Sequence, residues 1–97
     1  MKAYYKKHET KEGLILAACD EDLKGANLAN GAKVSEGFYG KDQIEFEKLD
    51  AMVRECVQGN FLGANIVSYL TQKGLIPKES VVLMAGTPNA ILLKLRD

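Results

Sequence analysis

Apolar positions along this chain change their period several times. Residues 2–8 set Tyr4 and Tyr5 among lysines, which fits an edge strand whose charges discourage aggregation. After a turn over residues 9–13, the run from Leu14 to Cys19 is apolar at every position. That pattern predicts a central strand, covered on both faces and paired with the first as a hairpin. From Asp20 to Gly40 the periodicity disappears, and a polar segment punctuated by Gly25, Gly31, Gly37 and Gly40 offers one short strand at residues 32–35. Irregular stretches of this length in a small domain are often functional. Phe46, Leu49, Met52, Val53, Cys56 and Val57 then recur at intervals of three and four, with charged residues between them, and predict an amphipathic helix.

Gly59 and Asn60 are read as the end of that helix, with Asn60 as N-cap of a second helix carrying Leu62, Ile66, Val67, Tyr69 and Leu70. Gly74 stops the second helix, and Leu75 packs back on Leu70 as in a Schellman cap. A turn at 77–80 leads to a strand at 81–85, a hairpin turn at 86–89 and a last strand at 90–96, in which Ile91, Leu93 and Leu95 share one face. Helices gathered in the middle with hairpins at both ends predict an α+β two-layer sandwich. Its sheet is mainly antiparallel, with a central pair of helices packed on one face.

At 97 residues, 46% hydrophobic and 27% charged, the chain reads as a single globular domain over residues 1–97. Thirteen basic residues balance thirteen acidic ones. The excess positive charge that sequence-independent phosphate binding uses is therefore absent. Charge is unevenly placed: Lys2, Lys6, Lys7 and Lys11 face only Glu9 and Glu12 in the first twelve residues, while residues 20–48 carry seven acids against four lysines. No apolar run approaches membrane-spanning length and the N-terminus lacks an apolar signal core, so no membrane is expected and the compartment is read as cytoplasmic. Cys19 and Cys56 lie too far apart for a CxxC motif and are read as reduced core residues.

Several clusters invite chemistry. Asp20 and Asp22, directly after a central strand, suit a cap on a short helical turn, a partner contact or a divalent metal, but Lys24, Leu28 and Gly31 break the calcium-loop template. Glu36, Gly37, Phe38, Tyr39 and Gly40 form a GxxG loop of the kind that clamps nucleic-acid backbones. Glu36 and Asp42 beside it disfavour phosphate, which leaves a glycine-hinged turn burying Phe38 or a partner-binding loop. A Walker loop is excluded, since Ser35 and Asp42 stand where Gly and Ser or Thr are needed. Asn60 and Gly63 mark a helix start, and Gly86, Pro88 and Asn89 a hairpin turn; with the glycine loop these segments are expected to share one edge of the domain. His8 is the sole histidine and is read as an exposed residue, which leaves little for Cys/His or Ser/His catalysis.

Four segments taken together resemble a known family: residues 19–25 (CDEDLKG), 35–40 (SEGFYG), 60–63 (NFLG) and 86–90 (GTPNA). In order and spacing they are similar to the archaeal family called domain of unknown function 424, over nearly the whole chain. The resemblance implies an archaeal cytosolic protein of compact α+β fold and no established activity. The family's Gly-x-Pro loop often continues with His where this chain has Asn89, which leaves no imidazole there for a mechanism.

These readings converge on a non-enzymatic module that docks on a protein or ribonucleoprotein partner through the 35–40 loop, with Asn60, Gly63, Gly86, Pro88 and Asn89 nearby. The alternative is an RNA-binding adaptor of the translation apparatus, using Lys2, Lys6, Lys7 and Lys11 with Tyr4, Tyr5, Phe38 and Tyr39 as stacking groups. A third class is a small enzyme using Asp20, Asp22, Glu36 and a divalent ion. No cofactor is expected, and an exposed edge strand permits a homodimer.

Overall fold

The computed structural model describes residues 1–94. Six strands form one sheet: β1 (Lys2–Thr10), β2 (Gly13–Asp20), β3 (Asp42–Glu45), β4 (Gln58–Leu62), β5 (Val81–Met84) and β6 (Thr87–Leu93), in spatial order β3-β1-β2-β4-β6-β5. All neighbours are antiparallel except β2 and β4, where Ile15 pairs with Gln58 and Cys19 with Leu62. The α+β class and the largely antiparallel sheet agree with the sequence reading. The pair of helices comprises α2 (Phe46–Glu55) and α3 (Ala64–Gln72); a single turn, α1 (Glu36–Tyr39), precedes β3.

Both faces of β2 are covered, as its unbroken apolar run requires. On one side Leu16 and Ala18 pack with Phe46, Leu49 and Val53 of α2 and Ile66, Val67 and Leu70 of α3. On the other side Ala17 and Cys19 pack with Leu28, Val34 and Tyr39 of the irregular segment. The glycine-rich stretch therefore forms the second cover of the sheet. Gly74, at φ +72°, closes α3, and the Leu75 N–H donates to the Leu70 carbonyl at 2.9 Å, the long bond of a Schellman cap. Both cysteines are free and buried.

Three expectations are corrected. The two helices are not adjacent in sequence, because α2 ends at Glu55 and residues 58–62 form β4. Asn60 is consequently a strand residue and caps no helix. Gly and Asn disfavour strands, yet here tertiary packing overrides that preference: the Phe61 ring lies over Gly59 where a Cβ would stand, and Asn60 is held by polar partners. Residues 32–35 form no strand beyond one bridge between Asn27 and Lys33. The last turn is at Ala85 and Gly86, so Pro88 and Asn89 belong to β6. As expected, Ile91 and Leu93 share one face of β6; that face is exposed, and it is Ala90 and Leu92 that face the helices, while Leu95 and Arg96 lie outside the described residues.

Candidate functional site

Strand β1 is longer than the strand beside it. β3 pairs only with Lys2 to Tyr5, so β1 is an edge strand only from Lys6 onward. Into this space swings the 35–41 loop. Ser35 caps α1 by accepting from the Phe38 N–H, and Gly40, at φ +87°, then turns the chain against β1 so closely that a Cβ would overlap the Tyr5 carbonyl. Two side chains of β1 fasten the loop: Lys6 Nζ donates to the Gly37 carbonyl at 3.1 Å, and His8 Nε2 lies 2.9 Å from the Phe38 carbonyl, with the two rings stacked at 5.3 Å. A carbonyl only accepts, so this nitrogen of His8 carries the proton. His8 is half-buried rather than exposed, and the loop buries Tyr39 more deeply than Phe38.

Between the loop and β1 opens a cleft of about 750 Å³, lined by Tyr5, Lys6, Lys7, Glu36, Gly37, Gly40, Lys41 and Asp42. Three other hollows hold only about 220, 290 and 260 Å³. Three ammonium groups and two carboxylates share its walls. Among the described residues, neither Lys7 nor Lys41 has a carboxylate within salt-bridge distance. Its only hydroxyl is the Tyr5 phenol, and the described lining has no cysteine, serine, threonine or histidine.

Beneath the loop lies a buried polar chain. Tyr39 donates its hydroxyl to Asn60 Oδ1 at 3.2 Å, and Asn89 Nδ2 donates to the same oxygen at 2.9 Å and to the Phe61 carbonyl at 3.1 Å. Asn89 is wholly buried and its Oδ1 has no partner. Burial, reinforced by Cys19, pushes the Tyr39 hydroxyl up to about 12; burial first, then Asp20 and Asp22, pushes the Cys19 thiol up to about 11. Cys56 is raised too, chiefly by burial. Neither cysteine is a ready thiolate.

Asp20 does cap a helix, but a distant one. Its carboxylate accepts from the Asn65 and Ile66 N–H groups, each at 2.8 Å, and so satisfies the start of α3. The 3-10 turn over Glu21–Leu23, directly after Asp20, has no side-chain cap. Gly63 precedes α3 at φ +126°, and a Cβ there would overlap the Asp20 carboxylate, so packing explains this glycine. Burial raises the Asp20 carboxyl above its usual range, against the lowering pull of the two N–H donors. Asp20 and Asp22 line two of the small hollows, whereas Glu36 stands on the large cleft. Among the described residues, no cluster of three or more His, Cys, Asp or Glu side chains is arranged for a metal ion.

The structure thus divides the residues singled out from sequence into three places. Glu36, Gly37 and Gly40 share the cleft with Tyr5, Lys6 and Lys7, joining two sets that sequence reasoning kept apart. Tyr39, Asn60 and Asn89 form the buried chain below. Gly63, Gly86 and Pro88 sit at the start of α3, where the Gly63 N–H donates to the Pro88 carbonyl at 2.8 Å and Gly86 and Pro88 line a hollow with Asp20. The expected single edge is therefore two separate surface regions linked through the interior. Tyr4 lies on the opposite face of β1 from Tyr5, with Lys24 Nζ 4.3 Å above its ring. Lys41 and Asp42 complete the cleft; only their position directly after Gly40 signalled them.

No helix among the described residues is long and apolar enough to cross a membrane. No curated protein matches the chain. A solved structure, an uncharacterized conserved protein from Methanopyrus kandleri, shares the fold with a TM-score of 0.76 at 24% identity, over 100% of this chain and 96% of that one. Residues 8–95 match the family model described as "Protein of unknown function (DUF424)". This span contains all four segments whose spacing suggested the resemblance, and the chain belongs to that family.

Proposed function

We propose that this protein is a non-enzymatic interaction module that docks a protein or ribonucleoprotein partner in the cleft between β1 and the 35–41 loop. The observation that carries this reading is the cleft itself: about 750 Å³, open, walled by charges of both signs, and framed by a loop that β1 holds in place. Mixed charge suits a polypeptide surface better than a polyphosphate, which favours uniformly basic walls. Few aromatic groups are placed there for base stacking: Tyr39 is buried, Phe38 stacks on His8, and of Tyr4 and Tyr5, which point to opposite faces of the sheet, only Tyr5 lines the cleft.

The test is a photo-crosslinking side chain in place of Lys41, with the same group at Lys48 on the outer face of α2 as control, in native archaeal lysate with and without ribonuclease. The expected result is one nuclease-resistant protein adduct from position 41 alone. Adducts to RNA would put the adaptor reading first, and equal labelling from both positions would remove the cleft from consideration.

A further inference from the structure

At the far end of the sheet from the cleft, β5 is an edge strand of unusual composition. Val81-Val82-Leu83-Met84 has no charge and no proline, and Val82, Leu83 and Met84 are 56%, 71% and 39% exposed. Val82 and Met84 pair with Asn89 and Thr87, so they share a face with Ile91 and Leu93, themselves 45% and 67% exposed. Edges in natural sheets are commonly blunted by charge or proline. The opposite edge follows that rule: β3 reads Asp42-Gln43-Ile44-Glu45.

Backbone geometry says which groups β5 offers. Pro88 turns its carbonyl to the Gly63 N–H, away from β5. Leu83, directly opposite Pro88, must then turn its own N–H and C=O outward, since antiparallel pairs alternate between bonded and non-bonded. A second copy of the same strand, run antiparallel across a two-fold axis at Leu83, supplies both missing partners at once. Each Leu83 N–H donates to the other Leu83 carbonyl, and each Val82 lies against Met84 of the second copy. Side-by-side pairing covers chiefly Val82, Leu83 and Met84 of each copy and leaves Ile91 and Leu93 on the face of the inner strand, so the interface is small and the dimer is one that forms at high protein concentration. Pairing of β5 with β3 would instead propagate into a filament, and the acidic ends of β3 oppose it.

We infer that this chain forms a symmetric homodimer through antiparallel pairing of β5 at Leu83, making one continuous sheet of two copies. The interface is independent of the cleft, and its failure would leave the docking reading untouched. Sedimentation velocity at about 200 µM is expected to give twice the chain mass, and Leu83→Lys to return the chain mass while keeping the thermal transition seen at high dilution. Gln43→Lys, at the other edge, is expected to keep the dimer. Val82→Cys combined with Met84→Cys in one chain is expected to form intermolecular disulfides under mild oxidation, because across the axis these positions meet as non-bonded antiparallel pairs, about 4.5 Å apart at Cα with their side chains close, within disulfide range. A monomer throughout, a dimer indifferent to Leu83→Lys, or a dimer that the Val82→Cys, Met84→Cys double variant fails to cross-link would each overturn the inference.

Discussion

On one face of the sheet, two regular helices press Phe46, Leu49, Val53, Ile66 and Leu70 onto Leu16, Ala18 and Phe61; on the other, an irregular segment lays Leu28, Val34 and Tyr39 over Ala17 and Cys19. The helical cover satisfies its own backbone except at the start of α3, where Asp20 of β2 accepts from two N–H groups, and otherwise needs the sheet for its apolar stripe. The irregular cover has few internal backbone bonds, such as Leu28 to Ala32 and Val34 to Ala26, and is fastened by side chains of β1 and by the Tyr39 hydroxyl. A regular cover is strong because it is locally self-consistent. An irregular one can be shaped by what lies beneath it, and in this molecule it is that cover which borders the large cleft.

Gly63→Ala tests the firmest joint of the helical side. It combines an unfavourable backbone angle with displacement of the Asp20 cap, and is expected to cost about 3 kcal/mol or more in urea unfolding. Leu49→Ala and Val34→Ala then set the two covers directly against each other. Leu49→Ala is expected to cost about 2–5 kcal/mol and Val34→Ala about 1–2 kcal/mol. Native-state hydrogen exchange should show the Val34 variant opening residues 24–40 without the rest of the sheet; global loosening by Val34→Ala would mean the two covers are equally integral.

The smallest effect concerns pH. Because the folded Asp20 carboxyl is raised by burial, the native state holds its proton more tightly than the unfolded chain does. This contribution is complete below the unfolded Asp value of about 3.9 and is lost as pH rises through the folded value. The stability of the wild type relative to Asp20→Asn should therefore fall from about pH 4 towards neutrality; a difference that grows with pH would show the N–H donors outweighing burial.

Legibility in the sequence followed the same division. The three- and four-residue spacing from Phe46 to Val53 and the run from Leu14 to Cys19 announced α2 and β2, because each buries side chains in a regular period. β4 stayed hidden since Gly59 and Asn60 answer to Phe61, Tyr39 and Asn89, none of which their local pattern reveals. β3 is short, polar and at an edge, with nothing to mark it. Lys6 and Lys7 on one side and Glu36, Gly37 and Gly40 on the other were each recognisable, but their meeting depends on how far β1 outruns β3, which is a property of pairing register. The acid at Asp20 was legible as a cap, while the helix it caps begins more than forty residues later.

That separation also orders events as the chain folds. A nine-residue helix such as α3 is marginal by itself in water. Its N-terminal donors meet their acceptor only after β2 and β4 have come together in parallel, which requires closing the chain between Asp20 and Gln58. The helix therefore gains its full stability late, as a dependent of the most non-local pairing in the core of the sheet. An excised α3 would have to fold without the residue that finishes it.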